Sequence, residues 1–208
     1  MIPLTYSELK LLLEGEFMLI KPYMIVLLHL LLPIFLFSQE KGEEEEQDQQ
    51  ICTYKAKYSS NQRIRFFPFI AAASVQLVSF RHHWNKYPIG RNNLERDSLL
   101  ESKTLNKDEI LELTDILYNN FYKRKTRIGT MSMCFYPRNA ILFFDKNGDL
   151  KEYILICFHC DRIEKSSDNI KTGDECTNKI EKLMNFFLRI GLKFGTNKDI
   201  DSYPGESD

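Results

Sequence analysis

The stretch NAILFFDKNGDLKEYILICF, from Asn139 to Phe158, decides the fold of this chain. Two apolar runs flank Asn147-Gly148, a dipeptide that supplies the positive φ angles of a type I′ turn, so the stretch predicts a β-hairpin. The first run, Ala140 to Phe144, is apolar at every position and therefore places apolar side chains on both faces of its strand. Because such a strand is buried on two sides, we expect the hairpin (about 139–158) to be central in a sheet.

Two amphipathic helices are predicted to pack against this hairpin. The first covers about 107–122, where Asn106 and Glu109 form a capping box and apolar residues recur with helical spacing. The second covers about 177–190 and is followed by Gly191, which suits the left-handed position after a helix.

The remaining segments predict strands and loops. Gln62 to Phe69 and Ser74 to Arg81 have the residue types and alternation of strands, and Trp84 to Asp97 has the composition of a long loop. The resulting order lacks regular βαβ alternation, so we predict an α+β fold with a mainly antiparallel sheet. Residues 51–195 are expected to form one domain, and 196–208 a flexible tail.

The most apolar segment of the chain predicts export. Met24 to Phe37 is shorter than the ~20 residues of a bilayer-spanning helix but fits the ~7–15 residues of a signal-peptide core. Acidic residues outnumber basic ones before it, contrary to the usual charge rule, unless translation begins at Met18. We therefore predict an over-extended start over 1–17 and a signal peptide over 18–38. The alternative is an uncleaved membrane anchor at 24–37.

Export would leave a formally neutral protein in the periplasm or outside the cell. Residues 39–50 read QEKGEEEEQDQQ, contain no apolar side chain, and are predicted to form a disordered acidic leader. After removal of residues 1–38, the chain has equal numbers of basic and acidic residues. That balance argues against nucleic-acid binding, which requires a basic excess.

The five cysteines are the main source of chemistry in the sequence: Cys52, Cys134, Cys157, Cys160 and Cys176. Pairing the two strands across the Asn147-Gly148 turn brings Cys134 to the same end of the hairpin as the Cys157-x-x-Cys160 motif. Pro137 removes one ladder hydrogen bond, so the register beyond it is not fixed by the sequence.

Three interpretations of this cysteine cluster compete. The first is a structural disulfide, such as Cys134 with Cys160, which would close a loop of about 25 residues and contribute ~3 kcal/mol. The second is a zinc site in which Cys134, Cys157 and Cys160 bind the metal together with either His159 or Cys176. The third is a redox-active dithiol, but the loop-like sequence after Cys160 lacks the helix that activates such motifs. Cys176 is alternatively a small buried residue on the stripe of the last helix.

The segments CFYPRNAILFFD (Cys134 to Asp145), ICFHC (Ile156 to Cys160) and GLKFG (Gly191 to Gly195) resemble a group of uncharacterised small exported bacterial proteins. The likeness covers about Cys134 to Gly195, and the group has no established activity to transfer. It implies that the three hairpin cysteines act as one local unit together with Arg138 and Asn139.

Arg138 and Asn139 are the candidate binding residues beside the cysteines. A guanidinium and an amide at this place suit an anion or a carboxylate held by paired hydrogen bonds. The alternative is that they cap backbone carbonyls or pair with Asp145 or Asp161.

No spacing in the sequence amounts to a catalytic signature. The chain has no Gly-x-Ser-x-Gly, no phosphate-binding loop and no His-Glu-x-x-His motif. We therefore predict a non-enzymatic exported domain that binds a protein partner or a small ligand, without a cofactor, and that meets the membrane only through its N-terminal segment. The alternative is a thiol- or zinc-dependent enzyme centred on Cys157-x-x-Cys160.

Overall fold

A computed structural model of the chain describes residues 51–81, 88–90, 93–123 and 134–197. The predicted over-extended start, signal peptide and acidic leader lie outside the described residues, as does the tail beyond 197. Thr196, the first residue of the predicted tail, is buried, and its hydroxyl donates to the Lys193 carbonyl oxygen at 2.6 Å. None of the helices in the described ranges is long and apolar enough to cross a membrane.

The fold is α+β, as predicted, and its main sheet is antiparallel. The sheet contains β2 (Ser74–Phe80), β5 (Leu99–Thr104), β7 (Asn139–Phe144), β8 (Leu150–Cys157) and β9 (Arg162–Lys165). Their order is β5-β2-β7-β8-β9, so the hairpin strand β7 is central, which confirms the prediction from its composition. Two small sheets pair β1 (Cys52–Tyr54) with β6 (Asn120–Tyr122), and β3 (Ile89–Gly90) with β4 (Asn93–Leu94).

The hairpin turn differs from the predicted type I′ geometry. Asp161 is the one non-glycine residue with a positive φ in the described ranges, so Asn147 lacks the angle that type I′ requires. Instead, Gly148 N–H donates to the Asp145 carbonyl at 3.1 Å, and Gly148 itself adopts a φ of 80°. This is a type I turn closed by a left-handed glycine. The Asp145 carboxylate stabilises it by accepting from the N–H groups of Asn147 and Asp149 at 2.8 and 3.0 Å.

Three α-helices are present in the described residues: α1 (Ser60–Arg63), α2 (Lys107–Tyr118) and α3 (Thr177–Ile190), with a short 3-10 helix at Arg96–Ser98. The predicted capping box of α2 is confirmed, because Glu109 N–H donates to Asn106 Oδ1 at 3.0 Å and the Glu109 carboxylate accepts from Asn106 N–H at 2.7 Å. Helix α3 has the predicted bounds, and Gly191 follows it in the left-handed conformation.

Two of the sequence-based assignments were wrong in the first half of the domain. The predicted strand at Gln62 to Phe69 is helix α1 followed by turns, because Ser59 and Gln62 form a capping box. Helix α2 ends at Tyr118, earlier than predicted. Asn120 Nδ2 donates back to the Ile116 carbonyl at 2.9 Å, and the chain then enters β6, whose partner β1 is distant in sequence.

Edge strands account for the other errors. The segment after Cys160 was expected to be a loop, yet Arg162–Lys165 forms the edge strand β9. The opposite edge strand, β5, was not predicted, and most of its side chains are exposed. The predicted loop at Trp84 to Asp97 contains the β3–β4 pair within its described residues. Edge strands are rich in charged and polar residues, so their sequences resemble loops.

Both faces of the sheet are covered by apolar side chains. Alternate residues of β7, Ile141 and Phe143, face helices α2 and α3 in the larger core cluster. The intervening residues, Ala140, Leu142 and Phe144, belong to a second cluster on the opposite face. The second cluster is completed by apolar side chains from β8 and from segments that precede the hairpin in the chain: Val78, Phe80, Ile89, Leu94, Leu99, Phe135, Leu150, Tyr153 and Leu155.

A disulfide joins the beginning of the domain to its last helix. Cys52 on β1 is bonded to Cys176, the N-cap residue of α3, with 5.2 Å between their Cα atoms. Both residues are buried, and the bond links positions 124 residues apart. Cys52 N–H also donates to Asn178 Oδ1 at 2.8 Å, so β1 is held to the helix start by a hydrogen bond as well.

We expect this disulfide to contribute more stability than the hairpin disulfide, because loop-closure entropy grows with loop length. Replacing Cys52 and Cys176 together with Ala should lower the free energy of unfolding by about 5 kcal/mol, against ~3 kcal/mol for Cys134 and Cys160 together. Urea unfolding of the two double variants measures both values, with Cys157→Ala as a control that removes a buried thiol without opening a loop. A larger loss from the hairpin pair would contradict the expectation.

Lys179 is buried in the first turn of α3. Its Nζ donates to the carbonyl oxygens of Leu117 at 2.7 Å and Thr172 at 3.0 Å, so the ammonium joins the end of α2 to the segment before α3. Burial lowers the pKa of Lys179 from 10.5 to about 8, against the opposing effect of the Asp174 and Glu175 carboxylates. The charged form is therefore less favourable in the folded protein than in the unfolded chain.

This lowered pKa predicts a pH dependence of stability. Between the folded value of about 8 and the unfolded value of 10.5, the unfolded chain binds more protons at Lys179 than the folded chain does. The free energy of unfolding should therefore rise with pH across this window, by about 3 kcal/mol in full. The measurement is the difference in unfolding free energy between the natural chain and Lys179→Met at pH 7.5 and pH 10. Equal differences at both pH values would rule out this origin.

Candidate functional site

The structure brings together the three cysteines that the sequence placed at one end of the hairpin. Cys134 and Cys160 form a disulfide with 5.9 Å between their Cα atoms, the pairing expected from the disulfide interpretation. Cys160 is buried, whereas Cys134 is half-buried and is the more accessible sulfur of the pair. Cys157 remains a thiol and is only 1% exposed.

The turn after β8 holds the Cys157 thiol against peptide N–H groups. Cys160 N–H donates to Cys157 Sγ, with 3.3 Å between nitrogen and sulfur. Burial raises the pKa of the Cys157 thiol, while hydrogen bonds from the N–H groups of Tyr136, Cys160 and His159 and the positive charge of Arg138 act in the opposite direction. Burial has the larger effect, so the resting group is a neutral thiol, and the N–H groups and Arg138 offset only part of that effect.

Arg138 and Asn139 both lie inside the protein, beside this cluster. Asn139 is fully buried, and its Nδ2 donates to the Phe194 carbonyl at 2.9 Å. Asn139 Oδ1 has no hydrogen-bond partner among the described residues. Arg138 is 6% exposed, and its charge acts on the Cys157 thiol. Anion binding by these two residues stays a prediction.

Cys176 and His159 do not join the hairpin cysteines in the way that a zinc site needs. Cys176 is bonded to Cys52, a pairing that the sequence analysis did not predict, and His159 is half-buried in the turn between the two hairpin cysteines. No group of three or more His, Cys, Asp or Glu side chains with the spacing of a metal site occurs in the described residues. The zinc hypothesis is left without geometric support there.

Gly195 closes over Arg138 and Asn139 and offers a test of this packing. A Cβ at Gly195 would lie 2.6 Å from Arg138 Cβ and closer still to Asn139 Oδ1, and the residue has a φ of 73°. Gly195→Ala should therefore lower the free energy of unfolding by about 3 kcal/mol or more, from left-handed strain and steric overlap together. Gly148→Ala is the matched control, because its φ is 80° and it has open space around it. Thermal unfolding that shows equal losses would contradict this packing.

A second feature, which the sequence analysis missed, is an apolar cleft of about 530 Å³ between the α1 region and the start of α2. Its apolar walls come from Ile64, Phe69, Ile70, Val75, Ile110 and Leu111, together with Ala72 and Ala73. Ile70 is 62% exposed, the largest exposed fraction among the large apolar side chains in the described ranges. The run of apolar residues from Phe66 to Ala73 was the signal for it, but part of that run was interpreted as a strand.

Two cations stand at the edge of this cleft. Arg65 and Lys107 line it, both are exposed, and neither forms an ion pair with another described residue. The remaining polar lining residue is Ser74, and the lining includes no carboxylate. The cleft therefore combines an apolar surface with unneutralised positive charge.

Comparisons with known proteins identify no relative: no family model, no curated protein and no solved structure matches the chain. The resemblance of Cys134 to Gly195 to small exported bacterial proteins therefore stays a prediction. The two disulfides are compatible with an exported protein, because such bonds persist in oxidising compartments.

Proposed function

We propose that this chain is an exported, disulfide-stabilised binding domain of the bacterial periplasm or cell exterior, and that its cleft binds a small amphipathic anion. The ligand class is an apolar chain or ring system that carries one carboxylate, sulfate or phosphate group. The observation that carries the proposal is the cleft, where an apolar wall with an exposed Ile70 adjoins two exposed cations that form no ion pair within the described part of the chain.

The size and lining of the cleft favour a small molecule. Ligand sites in proteins are mostly apolar concave surfaces of roughly 300–1,000 Å³ with a few polar groups that fix the orientation of the ligand. The cleft of about 530 Å³, with Ser74 as its one neutral polar lining residue, matches that description. No cysteine lines the cleft, so ligand binding there would not involve thiol chemistry.

Charge selects the class of ligand. Arg65 and Lys107 are exposed cations on two separate segments that line the cleft. Arg65 lies in the turn after α1, and Lys107 is the first residue of α2. Lys107 sits where the helix dipole already adds positive potential, so an anionic group placed between the two side chains would be favoured by both effects. An uncharged apolar ligand would form no ion pair with either cation.

The proposal predicts binding of an anionic amphiphile such as dodecanoate. Anilinonaphthalene sulfonate, an anionic aromatic dye, should fluoresce on binding to the folded chain, and dodecanoate should displace it, whereas dodecanol should do so weakly. Ile70→Ser should weaken dodecanoate binding by about fivefold through lost apolar contact. Arg65→Ala with Lys107→Ala should weaken it by about threefold to tenfold through lost ion pairing.

Matched control variants separate cleft binding from general surface effects. Leu100→Ser removes an exposed aliphatic side chain outside the cleft, and Lys103→Ala removes an exposed cation outside it. Both controls should bind dodecanoate like the natural chain. Equal weakening by Ile70→Ser and Leu100→Ser, or displacement of the dye by dodecanol as readily as by dodecanoate, would contradict the proposal.

A further inference from the structure

We propose that the cysteine end of the hairpin is a thiol–disulfide exchange site, in which Cys157 takes the Cys160 sulfur from Cys134 and thereby presents Cys134 to disulfides in solution. The substrate class is a small disulfide of the form R–S–S–R. This activity is independent of ligand binding in the apolar cleft, since no cysteine lines that cleft.

Geometry selects Cys160 as the sulfur that Cys157 attacks. Cys160 N lies 3.3 Å from Cys157 Sγ, and the Cys160 sulfur is only three bonds from its own nitrogen. Cys157 ends β8, Cys160 lies in the tight turn that follows, and Asp161 completes this turn with a φ of 49°. Phe158 anchors the turn in the core, where its ring meets Phe187 of α3 edge-to-face with 5.4 Å between centroids. The attacking thiol is therefore held beside the disulfide by the fold itself.

The surroundings of Cys157 combine burial, which raises the pKa of its thiol, with polar contacts that an inert core residue does not need. A buried structural thiol needs only apolar contacts. Cys157 Sγ instead accepts from peptide N–H groups of two segments, Tyr136 before β7 and the turn at His159 and Cys160, and it feels the charge of the buried Arg138. These contacts favour negative charge on sulfur and offset part of the effect of burial, which still raises the pKa of the thiol.

The exchange balances within the chain. The Cys157 thiol loses its proton to solvent, and the thiolate attacks Cys160 Sγ. The Cys157–Cys160 bond forms as the Cys134–Cys160 bond breaks, and Cys134 leaves as a thiolate. No oxidant is consumed in this step. The Cys134 thiolate then attacks the external disulfide, forming Cys134–S–S–R and releasing R–S⁻, which takes a proton from solvent.

The exposure of the three cysteine residues fits this order of events. Cys157 is 1% exposed and Cys160 is 7% exposed, so neither meets a solute directly. Cys134 is the half-buried member of the three. A solute disulfide should therefore react at Cys134, although Cys157 is the residue that carries the thiol at rest.

Oxidised glutathione provides a direct test with the full chain. After incubation, acid quenching and alkylation without reduction, tryptic mapping should place glutathione on Cys134 and show a disulfide inside the 152–162 peptide, which contains Cys157 and Cys160. The rate should rise about tenfold per pH unit while the Cys157 thiol is mostly protonated. Glutathione on Cys157 or on Cys160, or no adduct at all, would overturn the proposal.

Variants of the same three cysteines supply the controls. Cys157→Ser keeps the Cys134–Cys160 disulfide and should reduce the adduct on Cys134 by about tenfold or more, with an unchanged melting temperature as evidence of folding. Cys157→Ala serves if the serine variant unfolds. Cys134→Ser should form a Cys157–Cys160 disulfide in air, whereas Cys160→Ser should keep two thiols. Two persistent thiols in Cys134→Ser, or pairing of Cys134 with Cys157 in Cys160→Ser, would show that Cys160 is not the shared sulfur.

Discussion

The burial of β7 on both faces is the constraint on which the rest of the structure depends. No side chain of this strand reaches solvent, so each face of the sheet requires its own apolar layer. Helices α2 and α3 supply one layer through Leu113, Leu117 and Phe187. The other layer comes from shorter segments, including Ile89 and Phe135, whose backbone has little regular structure to hold it in place.

The two disulfides reinforce those two layers in different ways. The Cys52–Cys176 bond fixes β1 to the start of α3 and thus closes most of the domain into one covalent loop. The Cys134–Cys160 bond ties the segment that carries Phe135 to the turn between β8 and β9. Arg162, the first residue of β9, stacks over the Phe135 ring at 4.9 Å from its centroid, so β9 also supports this segment without covalent bonds. Opening the second disulfide would therefore release a local segment and leave the helical layer intact.

The sequence predicted those features that depend on near neighbours in the chain. The hairpin, the capping box at Asn106 and the C-terminal Gly191 each need only a few adjacent residues, and all three were confirmed. The hairpin register follows from the apolar pattern, since a slip of one residue would exchange the two faces of β7. That register also brings Cys134 close to Cys160, so the sequence was sufficient to suggest this disulfide as one of the interpretations.

Features built from distant segments were not predictable in this way. Nothing local pairs Cys52 with Cys176, and the β1–β6 ladder that aligns them joins segments far apart in the chain. The cleft likewise needs Ile70 and Lys107 to meet across two elements. At Gln62 to Phe69 the alternation of polar and apolar residues favoured a strand, but the local capping box at Ser59 produced a helical turn instead.

In the folded chain, Cys134 is joined to Cys160 and Cys157 remains a thiol inside the core. Disulfide mapping of the unreduced chain tests this arrangement: the protein is unfolded at mildly acidic pH to suppress exchange, alkylated, and digested. The alkyl label should fall mainly on Cys157, and linked peptides should join Cys52 to Cys176 and Cys134 to Cys160. A label found mainly on Cys134 or Cys160, or a peptide that links Cys52 to any hairpin cysteine, would contradict it.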